Sequence, residues 1–145
     1  MRALFKDAVM PVEFWVDAAK AGVYVRNRVL GGSIINGQTV SPYEALKGKE
    51  PSVEHIRVWG CKVLSYMDRE SIPQNMRRDK LMDRSRVGVF IGYVANTAKQ
   101  FLIWAPDRRE AIKTSNLVFL EEEAGGLINL KLTSKYALST PPNRN

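Results

Sequence analysis

The first fifty residues carry apolar side chains at the spacing of amphipathic helices. Residues 3–10 predict a short helix with one apolar face. A longer helix is predicted from Pro11, because proline suits the first helical position, to the glycine pair at residues 31 and 32. Its apolar residues recur every three or four positions and give it a broad apolar face. They are Phe14, Trp15, Ala18, Ala19, Ala21, Gly22, Val23 and Val25.

The segment that follows is predicted to hold one loop and one short helix. Residues 33–40 are rich in turn-forming residues and predict a loop with Asn36-Gly37 at its tip. Ser41 is predicted to cap a helix that begins at Pro42, and Glu44 is placed to reach back as in a capping box.

After residue 51 the pattern becomes typical of strands. Residues rich in β-branched and aromatic side chains predict strands at 56–67, 87–94, 100–104 and 111–120. Gly60 lies inside the first of them and suggests a bulge or a close backbone approach. Four or five short strands with tight turns are typical of a small barrel or sandwich.

The predicted fold class is α+β, with N-terminal helices followed by a small antiparallel β-barrel. We expect a helical part at residues 1–50, a β module at 51–120 and an acidic, flexible tail at 121–145. The lone cysteine, Cys61, excludes an internal disulfide and is expected to be a buried thiol, which suits an intracellular protein. No apolar run approaches the roughly 18 residues that span a bilayer, so we expect no membrane partner.

The residue types offer no enzyme site. His55 is the single histidine and has no second metal ligand near it in sequence, so we expect a hydrogen-bonded structural role. Asp79 and Asp83 alternate with basic residues, as in a solvated loop. The glycines match no phosphate-binding or dinucleotide motif. We therefore expect no catalytic residue, no metal and no cofactor.

The charge distribution suggests a polyanionic partner. The net charge is +7, and residues 57–113 hold twelve basic against six acidic residues, which gives that region +6. Such a surface can bind phosphates without reading sequence, although it can also serve only solubility. Most strand aromatics are expected in the core. The candidate nucleic-acid-binding residues are Arg57, Lys62, Arg77, Arg78, Lys80, Arg84, Arg86 and Lys99.

The order of several motifs resembles the C-terminal part of Copia-type retrotransposon integrases. The motifs are Pro11-Val12-Glu13-Phe14-Trp15, Tyr24-Val25-Arg26-Asn27-Arg28, Ser41-Pro42-Tyr43-Glu44-Ala45-Leu46, His55-Ile56-Arg57-Val58-Trp59-Gly60-Cys61, Gly88-Val89-Phe90-Ile91-Gly92-Tyr93, Trp104-Ala105-Pro106-Asp107 and Ser115-Asn116-Leu117-Val118-Phe119. They cover residues 3–123. The chain departs from the family pattern at Lys99-Gln100-Phe101, where many relatives have glycine in the middle position.

The resemblance implies that this chain is one part of a longer protein, in which binding and catalysis lie in different segments. It implies an SH3-like module at residues 57–120 that follows an integrase core and contributes to DNA integration by binding. It also implies that the two aspartates and the glutamate of the metal-dependent strand-transfer site lie upstream of the matched segment. The implied partner is DNA, bound without sequence preference, which would bring the protein to the nucleus.

Two other interpretations remain open from the sequence. The chain could be a protein-interaction module, because SH3-like barrels often bind peptides and the apolar face of the second helix would be uncovered without the core. That face, with Phe14, Trp15, Ala18 and Gly22, predicts self-association or contact with the integrase core. The chain could also be a transposon relic with no present function.

Overall fold

Helices form the first part of the chain, and an antiparallel sheet follows them. The computed structural model describes residues 2–29, 31, 33–66, 85–128 and 130. The elements are α1 (Arg2–Ala8), a 3-10 turn (Val12–Phe14), α2 (Trp15–Arg26), β1 (Ser33–Ile35), β2 (Gln38–Val40), α3 (Pro42–Lys47), β3 (Cys61–Tyr66), β4 (Ser85–Tyr93), β5 (Phe101–Ala105), β6 (Glu110–Thr114), β7 (Leu117–Ala124) and a second 3-10 turn (Gly125–Leu127). In the part of the chain that these ranges cover, no helix is both long and apolar enough to cross a membrane.

The second helix is shorter than predicted. It ends at Arg26, before the glycine pair that was expected to stop it. The carbonyl oxygen of Asn27 accepts a hydrogen bond from the backbone N–H of Tyr43 at 2.8 Å. That oxygen is therefore occupied by α3 and is not available to a further turn of α2.

The predicted loop at residues 33–40 is instead a two-stranded hairpin. Strands β1 and β2 pair in antiparallel register from Ser33 opposite Val40 to Ile35 opposite Gln38. Asn36-Gly37 lies at the tip, as predicted, with φ of 50° and 77°. Positive φ at both central residues is the requirement of a type I′ turn, whose twist matches that of the flanking strands.

The predictions of a Ser41 cap and of Pro42 at the first position of the third helix are confirmed. The backbone N–H of Glu44 donates to Ser41 Oγ at 3.2 Å, and Pro42 holds the first helical position. Gly48 ends the helix at a φ of 71°, a left-handed conformation that glycine adopts without a steric penalty.

The main sheet has five strands in the order β6-β5-β4-β3-β7, and all its neighbours are antiparallel. The strand predicted at 111–120 is two strands, because Ser115-Asn116 turns the chain from one edge of the sheet to the other. A three-residue step spans at most about 11 Å, so the sheet must curl strongly. Within the described residues no ladder joins β6 to β7, and the prediction of a barrel is wrong as to its closure.

Two groups of buried residues occupy the two faces of this curled sheet. The inner face carries Cys61, Val63, Phe90, Phe101 and Ile103. The other face carries Val89, Ile91 and Trp104, and the helices cover it with Ala8, Met10, Phe14, Ala18 and Ala21. Of the aromatic residues in the predicted strands, Trp59, Phe90, Phe101 and Trp104 are buried and Tyr93 is partly buried, so the expectation that most of them lie in the core is confirmed.

The helical part therefore shares its core with the sheet. Phe14 and Ala18 are fully buried, and Phe14 meets Trp104 edge-on with ring centroids 5.6 Å apart. The expectation that the apolar face of the second helix is uncovered is wrong at these two positions, because the chain's own sheet covers it. Trp15 and Gly22 are only partly buried, and self-association through the rest of that face stays a prediction.

Glycines allow the end of α1 to approach the sheet. Gly60 has a φ of 77°, and a Cβ atom there would lie 2.3 Å from Ala8 Cβ. The register between β3 and β7 shifts directly after it, between Cys61 and Lys62. The close approach predicted for Gly60 is confirmed, whereas the strand predicted at 56–67 begins only at Cys61, so Gly60 lies directly before β3 and not inside it.

Strand β7 and the residues that cover the sheet continue past residue 120. Strand β7 runs to Ala124, so the expected module boundary falls inside it. Further on, Leu130 is buried, and its carbonyl oxygen accepts a hydrogen bond from Trp104 Nε1 at 2.6 Å. The rest of the predicted tail, residues 131–145, lies outside the described residues.

Candidate functional site

Half of the candidate cations lie outside the described residues. These are Arg77, Arg78, Lys80 and Arg84. The interleaved aspartates Asp79 and Asp83 also lie outside the described residues. Two of the other candidates are paired with acids. Lys62 Nζ lies 2.7 Å from Glu123 Oε2, and Arg86 Nε lies 2.7 Å from Asp107 Oδ2. Their charges are largely neutralised locally, which weakens them as phosphate ligands.

Arg57 and Lys99 have no ion pair within the part of the chain that the structure describes. The Arg57 guanidinium donates to the carbonyl oxygens of Glu54 and Ile56, and it lies over the Phe119 ring at 5.7 Å. Lys99 is exposed on the turn between β4 and β5. These two residues are therefore available to an anion, but they belong to different loops.

A stronger concentration of free cations lines a cavity that the sequence analysis did not single out. The cavity measures about 390 Å³ and opens between the end of α2, α3, the segment after α3 and the turn between β4 and β5. This is within the range of about 300–1,000 Å³ typical of ligand sites. Among the described residues that line it, the charged ones are Arg28, Lys47 and Lys49, and none of them is a carboxylate.

Arg28 is held in place by aromatic rings. Its guanidinium carbon lies 3.4 Å from the ring centroid of Tyr24 and 4.8 Å from that of Tyr43. One of its nitrogens also donates to the carbonyl oxygen of Tyr24 at 3.1 Å. Behind Tyr24, the ring of Tyr93 stacks at 4.2 Å with an interplanar angle of 8°. The guanidinium therefore occupies one defined orientation and can bind an anion with little loss of side-chain entropy.

His55 lines the same cavity and makes the predicted hydrogen bond. Its Nε2 lies 2.5 Å from the hydroxyl oxygen of Tyr24. Burial lowers the pKa of His55, and the positive charges of Arg28 and Arg57 lower it further. The imidazole is therefore neutral at pH 7 and adds no charge to the site. Its Nδ1 is buried and has no hydrogen-bond partner among the described residues.

The hydroxyl of Tyr24 is also neutral at physiological pH. Burial raises the pKa of Tyr24, and this effect exceeds the opposing attraction of Arg28. Among the described lining residues, the charge of the cavity therefore comes from the guanidinium and the two ammonium groups. Ser52, Asn96 and Thr97 add short polar side chains at its rim.

The sequence analysis missed these cations because it counted charge in the wrong region. Residues 1–56 hold seven basic and six acidic residues, so their net charge of +1 drew no attention. The spacing of Tyr24 and Arg28 was the available signal, since residues four apart on a helix are neighbours. The place where they meet Lys47 and Lys49 depends on the packing of α3 against the end of α2.

Comparisons with known proteins identify the class of the β region. Residues 69–129 match the family described as Retroviral polymerase SH3-like domain. The strand order and the strong curl of the sheet fit such a domain. No solved structure matches the chain.

Over most of its length the chain is also similar to curated polyproteins. It is 28% identical over 123 residues to the Retrovirus-related Pol polyprotein from transposon TNT 1-94 of Nicotiana tabacum, covering 85% of this chain and 8% of the relative. It is 29% identical over 119 residues to the Pol polyprotein from transposon RE2 of Arabidopsis thaliana, covering 82% and 7%. For transposon RE1 of the same plant the identity is 33% over 90 residues, covering 62% and 6%.

The chain thus contains an SH3-like domain of the retroviral polymerase type. Over most of its length it is similar to Pol polyproteins of retrotransposons, which confirms the predicted resemblance to a part of such a polyprotein. The chain spans less than a tenth of the length of these relatives.

Proposed function

We propose that this chain is a non-catalytic part of the integrase region of a Copia-type Pol polyprotein, and that it contributes nucleic-acid binding without sequence preference to DNA integration. The order of its motifs supports the placement in the integrase, as does its similarity to Pol polyproteins over 85% of its length. The catalytic aspartates and glutamate would lie elsewhere in the polyprotein.

One observation carries the binding role. Arg28, Lys47 and Lys49 line one open cavity to which the described part of the chain contributes no carboxylate, in a protein with a net charge of +7. None of the three has an ion pair within the described residues. Cations without acidic partners attract phosphates and release counterions when they bind them, which gives affinity that does not depend on base sequence.

The test is duplex DNA binding by fluorescence anisotropy across a salt series. We expect dissociation constants of about 10⁻⁴–10⁻⁶ M and an affinity that falls linearly with the logarithm of salt concentration. Lys49→Gln should reduce the slope by about 0.9, the value for one lost phosphate contact. The matched control is Lys62→Gln, which should change it little because Lys62 is paired with Glu123.

Two results bear on this proposal directly. Absence of duplex binding at low salt, or binding that ignores salt, would refute it. Reversing the charges of Arg77, Arg78 and Lys80 should weaken DNA binding if those residues also contact phosphates.

A second candidate function is protein interaction, and an exposed apolar row on the sheet favours it. Leu64 pairs with Val87 on one side and Val118 on the other, so the three side chains share one face. Val87 and Val118 are 42% and 44% exposed. Sedimentation velocity should show concentration-dependent association that the double variant Val87→Lys/Val118→Lys removes. A clean monomer at high concentration would exclude self-association through this row.

A further inference from the structure

The cavity next to α3 combines charge with aromatic rings in a way that a binding site for phosphates alone does not need. Besides its three cations it is lined by Tyr24, Tyr43 and His55. A phosphate group uses cations, whereas a nucleobase uses ring faces and hydrogen-bonding groups. The two kinds of residue together match the two halves of a nucleotide.

Tyr43 is the ring best placed to meet a base. Both faces of Tyr24 are occupied, one by Tyr93 and the other by Arg28. Tyr43 contacts Arg28 at one side, is half-buried, and makes no ring stacking contact with another described aromatic residue that would compete. A base stacked there would extend the series of rings and guanidinium that starts at Tyr93.

The cavity lining also carries groups that can bond to the edge of a base. Asn96 has a φ of 64° on the turn between β4 and β5, and the side chains of Asn96, Thr97 and Ser52 line the cavity. Amide and hydroxyl groups both donate and accept hydrogen bonds, so they suit any of the bases. This supports binding that tolerates many sequences.

We propose that this cavity binds one unpaired nucleotide of a single-stranded nucleic acid, with its phosphate on Arg28, Lys47 and Lys49 and its base against Tyr43. In a duplex the bases are stacked inside the helix, so only the phosphates can reach the cations. An unpaired nucleotide brings both groups and therefore binds more tightly. The inference rests on the proposed nucleic-acid binding and adds a strand preference to it.

The experiment compares the full chain with a labelled single strand of about twelve nucleotides and with the duplex of the same sequence. We expect the single strand to bind more tightly than the duplex. Tyr43→Leu should weaken single-strand binding about tenfold and duplex binding much less, because the stacking contact is made only by an unpaired base, whereas Arg28 keeps its closer contact with Tyr24. Tyr43→Phe, which keeps the ring, is the matched control and should bind both like the wild type.

The charged half of the site has its own variant. Lys47→Gln/Lys49→Gln should lower the salt slope for the single strand by about 1.4, since each lost contact to a single strand contributes about 0.7. Lys6→Gln/Lys113→Gln removes the same charge from exposed residues that do not line the cavity and should leave the slope unchanged. Both lysines of the site are exposed, so these variants should fold normally.

The possible results separate this inference from the proposed function. Equal binding of the single strand and the duplex, with no effect of Tyr43→Leu, would overturn the inference. Salt-dependent duplex binding in the same experiment would still support the proposed function. No binding of either form would overturn both. Equal competition by polyglutamate would also overturn the inference, because the cavity would then select negative charge and not a nucleotide.

Discussion

At the level of single residues, burial changes the acid–base behaviour of two groups that the sequence shows as ordinary. Burial raises the pKa of the Cys61 thiol to about 12, and the nearby Glu121 carboxylate adds to the rise. The thiol is 2% exposed and stays protonated at physiological pH, as expected for a structural cysteine. Asp17 in the first turn of α2 also has a raised pKa, because burial outweighs the attraction of Lys20.

The raised pKa of Asp17 predicts a pH-dependent stability. A carboxyl group whose pKa is higher in the folded than in the unfolded state stabilises the fold at low pH, and this stabilisation is lost as pH rises through the folded value. We expect Asp17→Asn to melt above the wild type at pH 7, with a gap that closes as pH falls below about 4, the unfolded value.

Thermal melts from pH 3 to pH 8 would measure this gap. Asp7→Asn removes an exposed carboxylate from α1 and controls for the change in net charge. A gap for Asp17→Asn that is constant with pH would contradict the prediction, because it would show that ionisation of Asp17 does not matter to the fold.

At the level of elements, the contact between α1 and the sheet depends on one glycine. Gly60 combines a φ of 77° with a backbone so close to Ala8 that no side chain fits between them. The backbone N–H of Gly60 donates to Phe90 O at 2.8 Å, and its carbonyl accepts from Gly125 N at 2.7 Å. This one position therefore joins α1, β4 and the end of β7.

Gly60→Ala should destabilise the protein by about 2–4 kcal/mol. This cost is the sum of the left-handed backbone strain at residue 60 and the overpacking of the new side chain against Ala8. Gly22→Ala is the matched control, because Gly22 lies inside α2 with open space around it. It should raise stability by about 0.5–1 kcal/mol through its better helix propensity. Urea unfolding measures both changes.

A double variant isolates the steric part of this effect. Ala8→Gly removes the Cβ atom that a residue-60 side chain would meet at 2.3 Å, so it should recover part of the loss in Gly60→Ala. No recovery, together with a single-variant loss below about 1 kcal/mol, would show that α1 does not approach the sheet as described.

At the level of the whole molecule, one core joins segments from both ends of the described chain. Phe14 from the 3-10 turn and Leu130 from beyond β7 both meet Trp104 of β5. Trp59 closes the same side of the core, and its Nε1 donates to Ile91 O at 2.9 Å. The folded unit therefore includes the N-terminal helical part and the segment after β7 as well as the strands of the SH3-like domain.

Leu130→Ala should cost about 2–3 kcal/mol, since it removes a buried side chain from this shared core. Leu127→Ala should change stability by less than about 0.5 kcal/mol, because that leucine is 75% exposed. Urea unfolding followed by tryptophan fluorescence reports on both. Equal effects of the two variants would mean that the segment after β7 does not cover the sheet.

The sequence by itself determined the features that depend on neighbours along the chain. The cap at Ser41, the turn at Asn36-Gly37 and the strand-forming runs each follow from a few adjacent residues, as does the resemblance to retrotransposon polyproteins.

Tertiary packing decided the other features of the fold and the candidate site. It joined the carbonyl of Asn27 to α3, sent β6 and β7 to opposite edges of a curled sheet, and covered Phe14 and Ala18. It also paired Lys62 and Arg86 with acids and gathered Arg28, Lys47 and Lys49 around one cavity. The physical reason is that charge pairing and burial depend on distance in space, and spacing along the chain gives that distance only within a turn or a single element.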